Sequence, residues 1–240
     1  MLASVATVWQ LLRGAQGRTH AERLQSFYGR QAAHYDRFRE RLLHGRAELI
    51  ERLPITPGAH VIELGGGTAR NLDFFGDRIR DAGLVEVVDL CEPLLQIARR
   101  RIGERGWDNV QVRNADATQW RSQAGLADVV YCSYSLSMIP NWFAAIDNAL
   151  ALLKPGGVLG VVDFYVSRRH PAPGRVRHSL FTRHFWPLWF GHDNVHLLPD
   201  LLPYLDRAGH TVAVDECRGS IPMLPLATVP YFVWTGIKRP

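Results

Sequence analysis

The chain has 240 residues, of which 47% are hydrophobic, so it is long enough to bury the core of one sizeable domain. Its formal net charge is +5, and its 28 basic residues include only two lysines, Lys154 and Lys238. No apolar run reaches the roughly 18 residues that a membrane-spanning helix needs, and no nucleic-acid-binding module is recognisable. We therefore expect neither a transmembrane protein nor a nucleic-acid partner, although a basic surface would attract an anionic membrane.

The first 54 residues are predicted to form helices that precede the main domain, which is expected to span 55–240. The apolar run 2–12 has no basic region before it and is followed by an arginine, which argues against a signal peptide. We interpret it as an amphipathic helix lying on the domain or on a membrane surface. Helical spacing further along brings Tyr28 and Tyr35 within reach of each other, as expected of a packing helix.

A strand, a glycine loop and a helix follow in the run 61–75. The apolar residues that end in Glu63 indicate the close of a buried strand, and helical spacing resumes from Asn71 onward. The three consecutive glycines from Gly65 to Gly67 let the backbone turn sharply and approach a ligand with no side chain in the way. This order suits a nucleotide-like ligand at the end of the first strand, although three glycines alone also suit an ordinary flexible turn.

Further short apolar runs predict six more strands, with segments of about 10 to 15 residues suited to helices between most of them. The predicted strands span 84–89, 110–113, 127–133, 157–163, 211–214 and 231–236. This alternation favours a doubly wound, mostly parallel sheet. The second strand ends in Asp89, 22 residues after Gly67, where a carboxylate can accept hydrogen bonds from both hydroxyls of a ribose. Asp89 could also cap a helix that begins near Pro93, and the two roles are compatible.

The assembled motifs resemble those of class I S-adenosylmethionine-dependent methyltransferases over about residues 55–165. The resemblance rests on the glycine loop, the acid that ends the second strand, the run 115–117 (Ala-Asp-Ala) and the run 153–157 (Leu-Lys-Pro-Gly-Gly). It implies an α/β fold with a seven-stranded, mostly parallel sheet, and S-adenosylmethionine as the cofactor. It also implies that a leading Tyr-Asp pair, here Tyr35 and Asp36, belongs to a lid over the cofactor.

The same resemblance implies roles for individual residues. The cofactor-binding residues that it implies are Glu63, Gly65, Gly67, Asp89, Leu90, Asp116, Ala117 and Ser133. The first three would hold the methionine end of the cofactor, Asp89 would bind the ribose, and Leu90 and Asp116 would contact the adenine. One departure is Ala69, which stands where the family usually has a third glycine. Its methyl group is tolerated if it faces the helix and not the ligand.

The stretch after the fifth strand, about 165–200, is longer than an ordinary connection and is therefore expected to have a function. Its run 185–190 is dense in aromatic residues. Such residues suit a bilayer interface, with Trp186, Trp189 and Phe190 at headgroup depth, or alternatively the roof of an active site.

Histidine and cysteine spacing does not favour a metal centre. His192 and His196 are four residues apart, but no third residue at metal-ligand spacing accompanies them, so we expect no metal. The chain has three cysteines, an odd number, which we expect to be reduced core residues of a cytoplasmic protein.

Over nearly the whole chain, several runs are similar to the bacterial diacylglycerylhomoserine N-methyltransferases of betaine-lipid synthesis. These runs span 20–38, 41–46, 133–140, 162–167 and 185–190. The resemblance implies three successive methyl transfers to the amine of a homoserine-headed diacylglycerol, giving a trimethylammonium lipid. It implies a lipid as methyl acceptor and a protein that is cytoplasmic or peripheral on the inner face of the membrane. The oligomeric state is left open.

On the acceptor side, Tyr134, Asp163 or a bridging water would take the proton of the amine. Aromatic faces would hold the methylated cation by cation–π attraction, and the candidates are Tyr35, Tyr134, Tyr165 and Trp186. Candidates for binding the carboxylate of the substrate are Arg39, Arg46 and Arg183.

Two alternatives to this function stay open. The same fold with a leading Tyr-Asp segment methylates ring carbons of quinone precursors, a reaction that needs a base beside the carbon. A methyltransferase fold can also serve as a non-catalytic binding protein.

Overall fold

The computed structural model describes residues 42–191, 194–222 and 224–239. The predicted N-terminal helices with Tyr35, the candidate ligand Arg39, the apolar run 2–12 and His192 lie outside these residues. The predicted domain boundary at residue 54 is therefore described only in part, and it stays a prediction.

The described residues form a sheet of seven strands in the order β3-β2-β1-β4-β5-β7-β6. The strands are β1 His60–Leu64, β2 Leu84–Asp89, β3 Val110–Asn114, β4 Ala127–Ser133, β5 Leu153–Phe164, β6 His210–Ile221 and β7 Leu224–Ile237. Neighbouring strands are parallel except for β7, which is antiparallel to both β5 and β6. The predicted α/β fold with a mostly parallel seven-stranded sheet is confirmed.

Helices cover both faces of this sheet. They are α1 Arg46–Arg52, α2 Glu92–Arg105, α3 Trp142–Leu152, α4 Leu180–Gly191 and α5 Leu201–Ala208, with 3₁₀ segments at Arg70–Arg80 and Leu136–Met138. None of the described helices combines the length and the apolar character needed to cross a bilayer.

Each face of the sheet buries its own apolar core, because side chains along a strand point alternately to opposite sides. In β4, Val129 and Tyr131 lie in the first core, whereas Val130 and Cys132 lie in the second. The first core is shared with α1 and α4, and the second with α3 and α5. Strands buried on both faces read as continuous apolar runs, which explains why the sequence predicts the bounds of β1, β2 and β4 to within one residue.

Four predicted elements differ from the structure. The fifth strand, predicted over 157–163, begins four residues earlier, since β5 spans Leu153–Phe164. The helix after the glycine loop is a 3₁₀ segment that breaks at Gly76, where φ is 57° and ψ is −137°. Strands β6 and β7 form a long antiparallel hairpin, from the pair His210 and Ile237 to the pair Ile221 and Leu224, and so extend well beyond 211–214 and 231–236. Many side chains of β6 are partly or fully exposed, so its apolar pattern covers only part of its length.

Candidate active site

The glycine loop is fixed against the end of β2 by backbone hydrogen bonds. The N–H groups of Gly65 and Gly66 both donate to the carbonyl of Val88, at 2.8 and 3.1 Å. Gly65 and Gly67 have φ values of 73° and 53°, in the left-handed region that favours glycine. A Cβ on Gly65 would also lie 2.3 Å from the Cβ of Ser135, so the loop requires glycine there for two independent reasons.

Gly66 and Ala69 differ in how much room the structure leaves for a side chain. A Cβ on Gly66 would meet Val87 Cγ1 at 2.5 Å, so a larger residue there would require Val87 to move. Ala69 adopts a left-handed φ of 56° in spite of its side chain, and it is fully buried in the first core. Its methyl group therefore packs into the protein and does not narrow the ligand side of the loop.

Asp89 lies at the end of β2, where both of its oxygens already accept a backbone hydrogen bond. Oδ2 accepts from the N–H of Gly67, and Oδ1 from the N–H of Cys91, each at 2.8 Å. Cys91 is the N-cap residue of α2, so Asp89 orders the turn into that helix instead of capping it directly. Each carboxylate oxygen can accept a second hydrogen bond, and the side chain can thus receive both hydroxyls of a ribose.

The ends of β2 and β3 bring the predicted adenine contacts to one edge of the sheet. The N–H of Ala115 donates to the carbonyl of Asp89 at 3.0 Å, which ties the two strand ends together. Asp116 accepts the N–H and the hydroxyl of Thr118 on the same oxygen, Oδ1, each at 2.8 Å. Among these hydrogen bonds none uses Oδ2, which suits an amino-group donor. Leu90 is half-buried at the same edge, and Ala117 is buried.

Glu63 is a fully buried carboxyl at the end of β1. Its Oε1 accepts a 2.6 Å hydrogen bond from Asn71 Nδ2, whereas Oε2 is buried and accepts no hydrogen bond from the described residues. Burial raises the pKa of Glu63 to about 7, although Asn71 and the neighbouring Tyr131 hydroxyl favour the charged form. A cation placed beside Oε2 would therefore favour ionisation of Glu63.

A cavity opens between the start of α1, the glycine loop and the end of β4. It is lined by Leu43, Arg46, Gly65, Thr68, Arg70, Asn71 and Ser133. Gly65 and Ser133 were predicted cofactor contacts, and the hydroxyl of Ser133 is buried without a hydrogen-bond partner among the described residues. Thr68 and Asn71 were not predicted, although both belong to the polar run that directly follows the three glycines.

Arg46 brings a buried positive charge to this cavity. Its Nε donates to the carbonyl of Leu43 at 3.1 Å, its guanidinium contacts Asn71 Oδ1 at 3.4 Å, and it stacks 5.2 Å from the centre of the Phe74 ring. Arg46 was predicted as a candidate for the substrate carboxylate. Its place beside Asn71, the partner of Glu63, instead brings it to the predicted methionine end of the cofactor.

Tyr134 follows β4 directly and is held in a structural role. Its backbone has a left-handed φ of 53°, and its hydroxyl donates to the carbonyl of His44 at 2.7 Å. Burial raises the pKa of this hydroxyl well above its usual value, and the negative charge of Asp163 adds to the effect. A hydroxyl whose proton is committed to a carbonyl is poorly placed to accept another. The predicted proton transfer through Tyr134 stays a prediction, and this geometry argues against it.

Asp163 near the end of β5 is also held by structural contacts. Its Oδ2 accepts the N–H of Ser137 at 3.0 Å, and its Oδ1 accepts the N–H of Phe164 at 2.8 Å. Burial raises its pKa to about 6, and these hydrogen bonds limit the rise. The carboxyl therefore fixes the 3₁₀ turn after β4, and its predicted role as proton acceptor stays untested.

Four aromatic side chains form a continuous wall from the ends of β4 and β5 to α4, which we call the ring wall: Tyr134, Phe164, Phe190 and Trp186. Successive ring centres are 4.6, 5.1 and 5.9 Å apart along this order. Tyr165, predicted as a further member, lies instead in the second core, where its hydroxyl donates to Glu216 at 2.5 Å. Because Tyr165 follows Phe164 directly, its side chain points to the opposite face of the sheet.

The aromatic run 185–190 is a helix in the structure, and only part of it faces solvent. Trp186 and Phe190 are 4% and 6% exposed, so the expectation that they lie at a bilayer interface is wrong. Both contribute instead to the ring wall. Trp189 is 49% exposed and lies beside this buried face of α4.

No group of three His, Cys, Asp or Glu residues is placed to hold a metal ion within the described part of the chain. Cys91 and Cys132 are buried free thiols, whereas Cys217 is partly exposed.

A family model described as a methyltransferase domain matches residues 34–212. The chain belongs to this methyltransferase family. Its cofactor is S-adenosylmethionine. The glycine cradle, the carboxylate of Asp89, and the buried oxygens of Glu63 and Ser133 that have no hydrogen-bond partner in the described part of the chain fit that molecule.

The chain is similar to two curated relatives in sequence and to one solved structure in fold. The ubiquinone/menaquinone biosynthesis C-methyltransferase UbiE of Ectopseudomonas mendocina is 30% identical over 150 residues, covering 60% of this chain and 59% of that protein. The trans-aconitate 2-methyltransferase of Paracidovorax citrulli is 31% identical over 128 residues, covering 53% and 47%. The chain thus spans about half the length of these relatives.

The solved structure is the phospholethanolamine N-methyltransferase 2 of Haemonchus contortus, in complex with phosphomonomethylethanolamine and S-adenosylhomocysteine. It matches with a TM-score of 0.68 at 12% identity, covering 90% of this chain and 60% of that one. At this identity the match shows a shared fold.

Proposed function

We propose that the protein methylates the amine of a lipid headgroup, with diacylglycerylhomoserine as the acceptor and a trimethylammonium lipid as the product of three transfers. The observation that carries the proposal is the ring wall, which begins at Tyr134, the residue after the cavity-lining Ser133. The proposal places the methyl acceptor on this side of the cavity, next to Tyr134.

An aromatic wall suits an amine that gains methyl groups. When bound, S-adenosylmethionine supplies an electrophilic methyl group on a sulfonium. The product of the last transfer is a fixed cation without N–H groups, which a ring face attracts by about 0.5–2 kcal/mol. A pocket built on hydrogen bonds to the amine would lose one donor at each transfer and would hold the later intermediates less well.

The described acids and hydroxyls near the ends of β4 and β5 favour an amine over a ring carbon as the methyl acceptor. Asp163 is fully buried, and the Tyr134 hydroxyl donates its proton to the carbonyl of His44. A carbon acceptor needs a base in contact with it, whereas an amine can lose its proton to water before it binds. The residues around an amine then have mainly to align its lone pair, and alignment alone can lower a barrier by about 7–11 kcal/mol.

C-methylation of a quinone precursor is the second candidate function. It is favoured by the 30% identity to the C-methyltransferase UbiE. The base for that reaction would have to come from outside the described residues, where Tyr35 and Asp36 lie.

Matched acceptors distinguish the two functions. The purified protein, with labelled cofactor, is offered diacylglycerylhomoserine or a demethylated quinol precursor at equal concentration in the same detergent. We expect mono- and dimethyl lipid to appear first and to give way to the trimethyl lipid. Label on the quinol carbon alone would replace the lipid proposal by the second candidate.

The ring wall is tested with Trp186→Leu, which we expect to slow the third transfer more than the first, because only the later intermediates depend on ring faces. Trp107→Leu is the matched control. Trp107 is 7% exposed and lies in the same core, but it precedes the edge strand β3, which β2 and β1 separate from β4 and the ring wall. Equal slowing of all three transfers by Trp186→Leu would remove the ring wall from the proposal.

A further inference from the structure

Exposed apolar side chains are concentrated on α4 and the loop before it. Five of the eight large hydrophobic side chains that are exposed in the described part of the chain lie within 176–189. They are Val176 (39%), Leu180 (67%), Phe181 (69%), Leu188 (75%) and Trp189 (49%). Single exposed apolar residues are ordinary on a protein surface, but a contiguous group of this kind marks an interaction site.

The spacing along α4 separates two apolar faces. Thr182, Trp186 and Phe190, four residues apart, are buried against the protein. Beside this face, the partly buried ring of Phe185 stacks 4.9 Å from the exposed Phe181 and lies 5.7 Å from the exposed Trp189. The helix therefore presents one apolar face to the core and a second, ridge-like apolar face to solvent.

The segment that carries this outward face is itself basic, although the carboxylate of Glu216 accepts the N–H of Val176 at 3.1 Å. Residues 165–191 contain five arginines and three histidines but no aspartate or glutamate. Arg168 and Arg175 are neutralised by Asp200 and Asp206, each at 2.6 Å. The other three are Arg169, Arg177 and Arg183, and none forms an ion pair with a described residue.

We propose that the docking surface formed by Val176, Leu180, Phe181, Leu188 and Trp189, together with Arg169 and Arg177, lies on an anionic phospholipid bilayer. Apolar and aromatic side chains enter the headgroup region while arginines meet the lipid phosphates and acidic headgroups. The surface goes beyond the proposed reaction, because it would hold the protein on a membrane whatever its methyl acceptor. Its position on α4, opposite the ring wall, brings the acceptor side of the site close to the headgroups.

Vesicle binding tests the surface without any acceptor lipid or cofactor, so the result does not depend on the proposed reaction. The full chain is sedimented with vesicles of phosphatidylglycerol and phosphatidylcholine, and with vesicles of phosphatidylcholine alone. We expect binding to the anionic vesicles that weakens with salt. The double variant Phe181→Ser with Leu188→Ser should lower the partition coefficient by about tenfold or more. Arg169→Gln with Arg177→Gln should lower it by a similar factor and flatten its salt dependence.

The matched control is Phe143→Ser with Val212→Ser, two side chains that are 48% and 60% exposed elsewhere on the molecule and should leave binding unchanged. Cofactor affinity measured by calorimetry shows that each variant is folded. Brominated lipids add a direct readout, since they should quench wild-type fluorescence more than that of Trp189→Phe.

Failure of the wild type to bind anionic vesicles would overturn the proposal, as would equal losses from the docking-surface and control variants. A wild-type dimer that Phe181→Ser with Leu188→Ser converts to a monomer, with no vesicle binding, would assign the face to a second copy of the chain.

Discussion

Glu63 and Asp89 end neighbouring strands, yet their surroundings give them different chemistry. Asp89 is half-buried, and backbone N–H groups from the glycine loop and from Cys91 hold its oxygens. Glu63 is fully buried, with only one oxygen bonded by a described donor. We therefore expect Asp89 to act through fixed geometry and Glu63 to act through a charge that depends on pH.

Replacing Asp89 should weaken cofactor binding. Asp89→Ala leaves the two ribose hydroxyls and the N–H of Gly67 without a hydrogen-bond acceptor. The affinity for S-adenosylmethionine, measured by calorimetry, should therefore fall by at least about 1–3 kcal/mol. Asp108→Ala is the control, because Asp108 is an exposed acid far along the chain from the glycine loop. Equal affinities of Asp89→Ala and the wild type would exclude Asp89 from the site.

Glu63 should make stability fall as pH rises. The folded carboxyl keeps its proton up to about pH 7, whereas the unfolded one loses it near pH 4.5. The stabilising contribution of the protonated form is therefore complete below pH 4.5 and is lost as pH rises through about 7. Glu63→Gln cannot ionise, so its free energy of unfolding should exceed that of the wild type by about 1–3 kcal/mol more at pH 8 than at pH 5. Urea unfolding at both values measures this, and a difference that does not change with pH would contradict the account.

At the scale of elements, the residues before α1 are tied to the end of β4 by the bond between the Tyr134 hydroxyl and the His44 carbonyl. The ring of His44 also lies 5.9 Å from that of Tyr231, and its Nε2 is 3.0 Å from the carbonyl of Ser220. These contacts fix the entry of α1 over the cavity.

Tyr134→Phe should act on this attachment and not on proton transfer. Losing the hydrogen bond should lower the free energy of unfolding by about 0.5–1.5 kcal/mol, while the pH dependence of methyl transfer should keep its shape. Tyr204→Phe is the matched control, since the Tyr204 hydroxyl bonds Asp147 at 2.7 Å in an exposed position. If the pH–rate profile loses one limb in Tyr134→Phe and not in Tyr204→Phe, Tyr134 would be assigned as the proton acceptor after all.

The sequence predicts elements well where burial is uniform and less well where it is mixed. β2 and β4 are buried on both faces, and their apolar runs mark both ends. β6 is a partly exposed edge strand whose polar residues hide its length. The orientation of α4 was not predictable from its composition, because Trp186 and Trp189 are chemically alike and only packing against Phe190 and Phe164 separates them.

Some features of the candidate site could also be predicted from the sequence, and others could not. That Asp89 and Asp116 lie close together was predictable, because a parallel sheet brings the carboxyl ends of its strands to one side. Their roles toward the cofactor stay predictions. The bond from Tyr134 to His44 was not, since its partners are 90 residues apart and only the completed fold brings them together.

At the scale of the whole molecule, the cavity, the ring wall and α4 form one sequence of contacts from the glycine loop to the surface. Ser133 lines the cavity, Tyr134 begins the ring wall, and Phe190 and Trp186 end it on α4, whose other face is exposed. This order suits an acceptor whose reactive headgroup enters the site while its apolar part stays outside.

Lipid mass spectrometry of a host that makes diacylglycerylhomoserine tests the central claim most directly. Cells expressing the wild-type chain should accumulate the trimethylammonium lipid, with mono- and dimethyl species at early times, whereas cells expressing Asp89→Ala should retain the unmethylated precursor. A precursor that stays unmethylated beside folded, cofactor-binding wild-type protein would contradict the claim. New methylation on the carbon of a quinone precursor in the same cells would move the protein to the second candidate function.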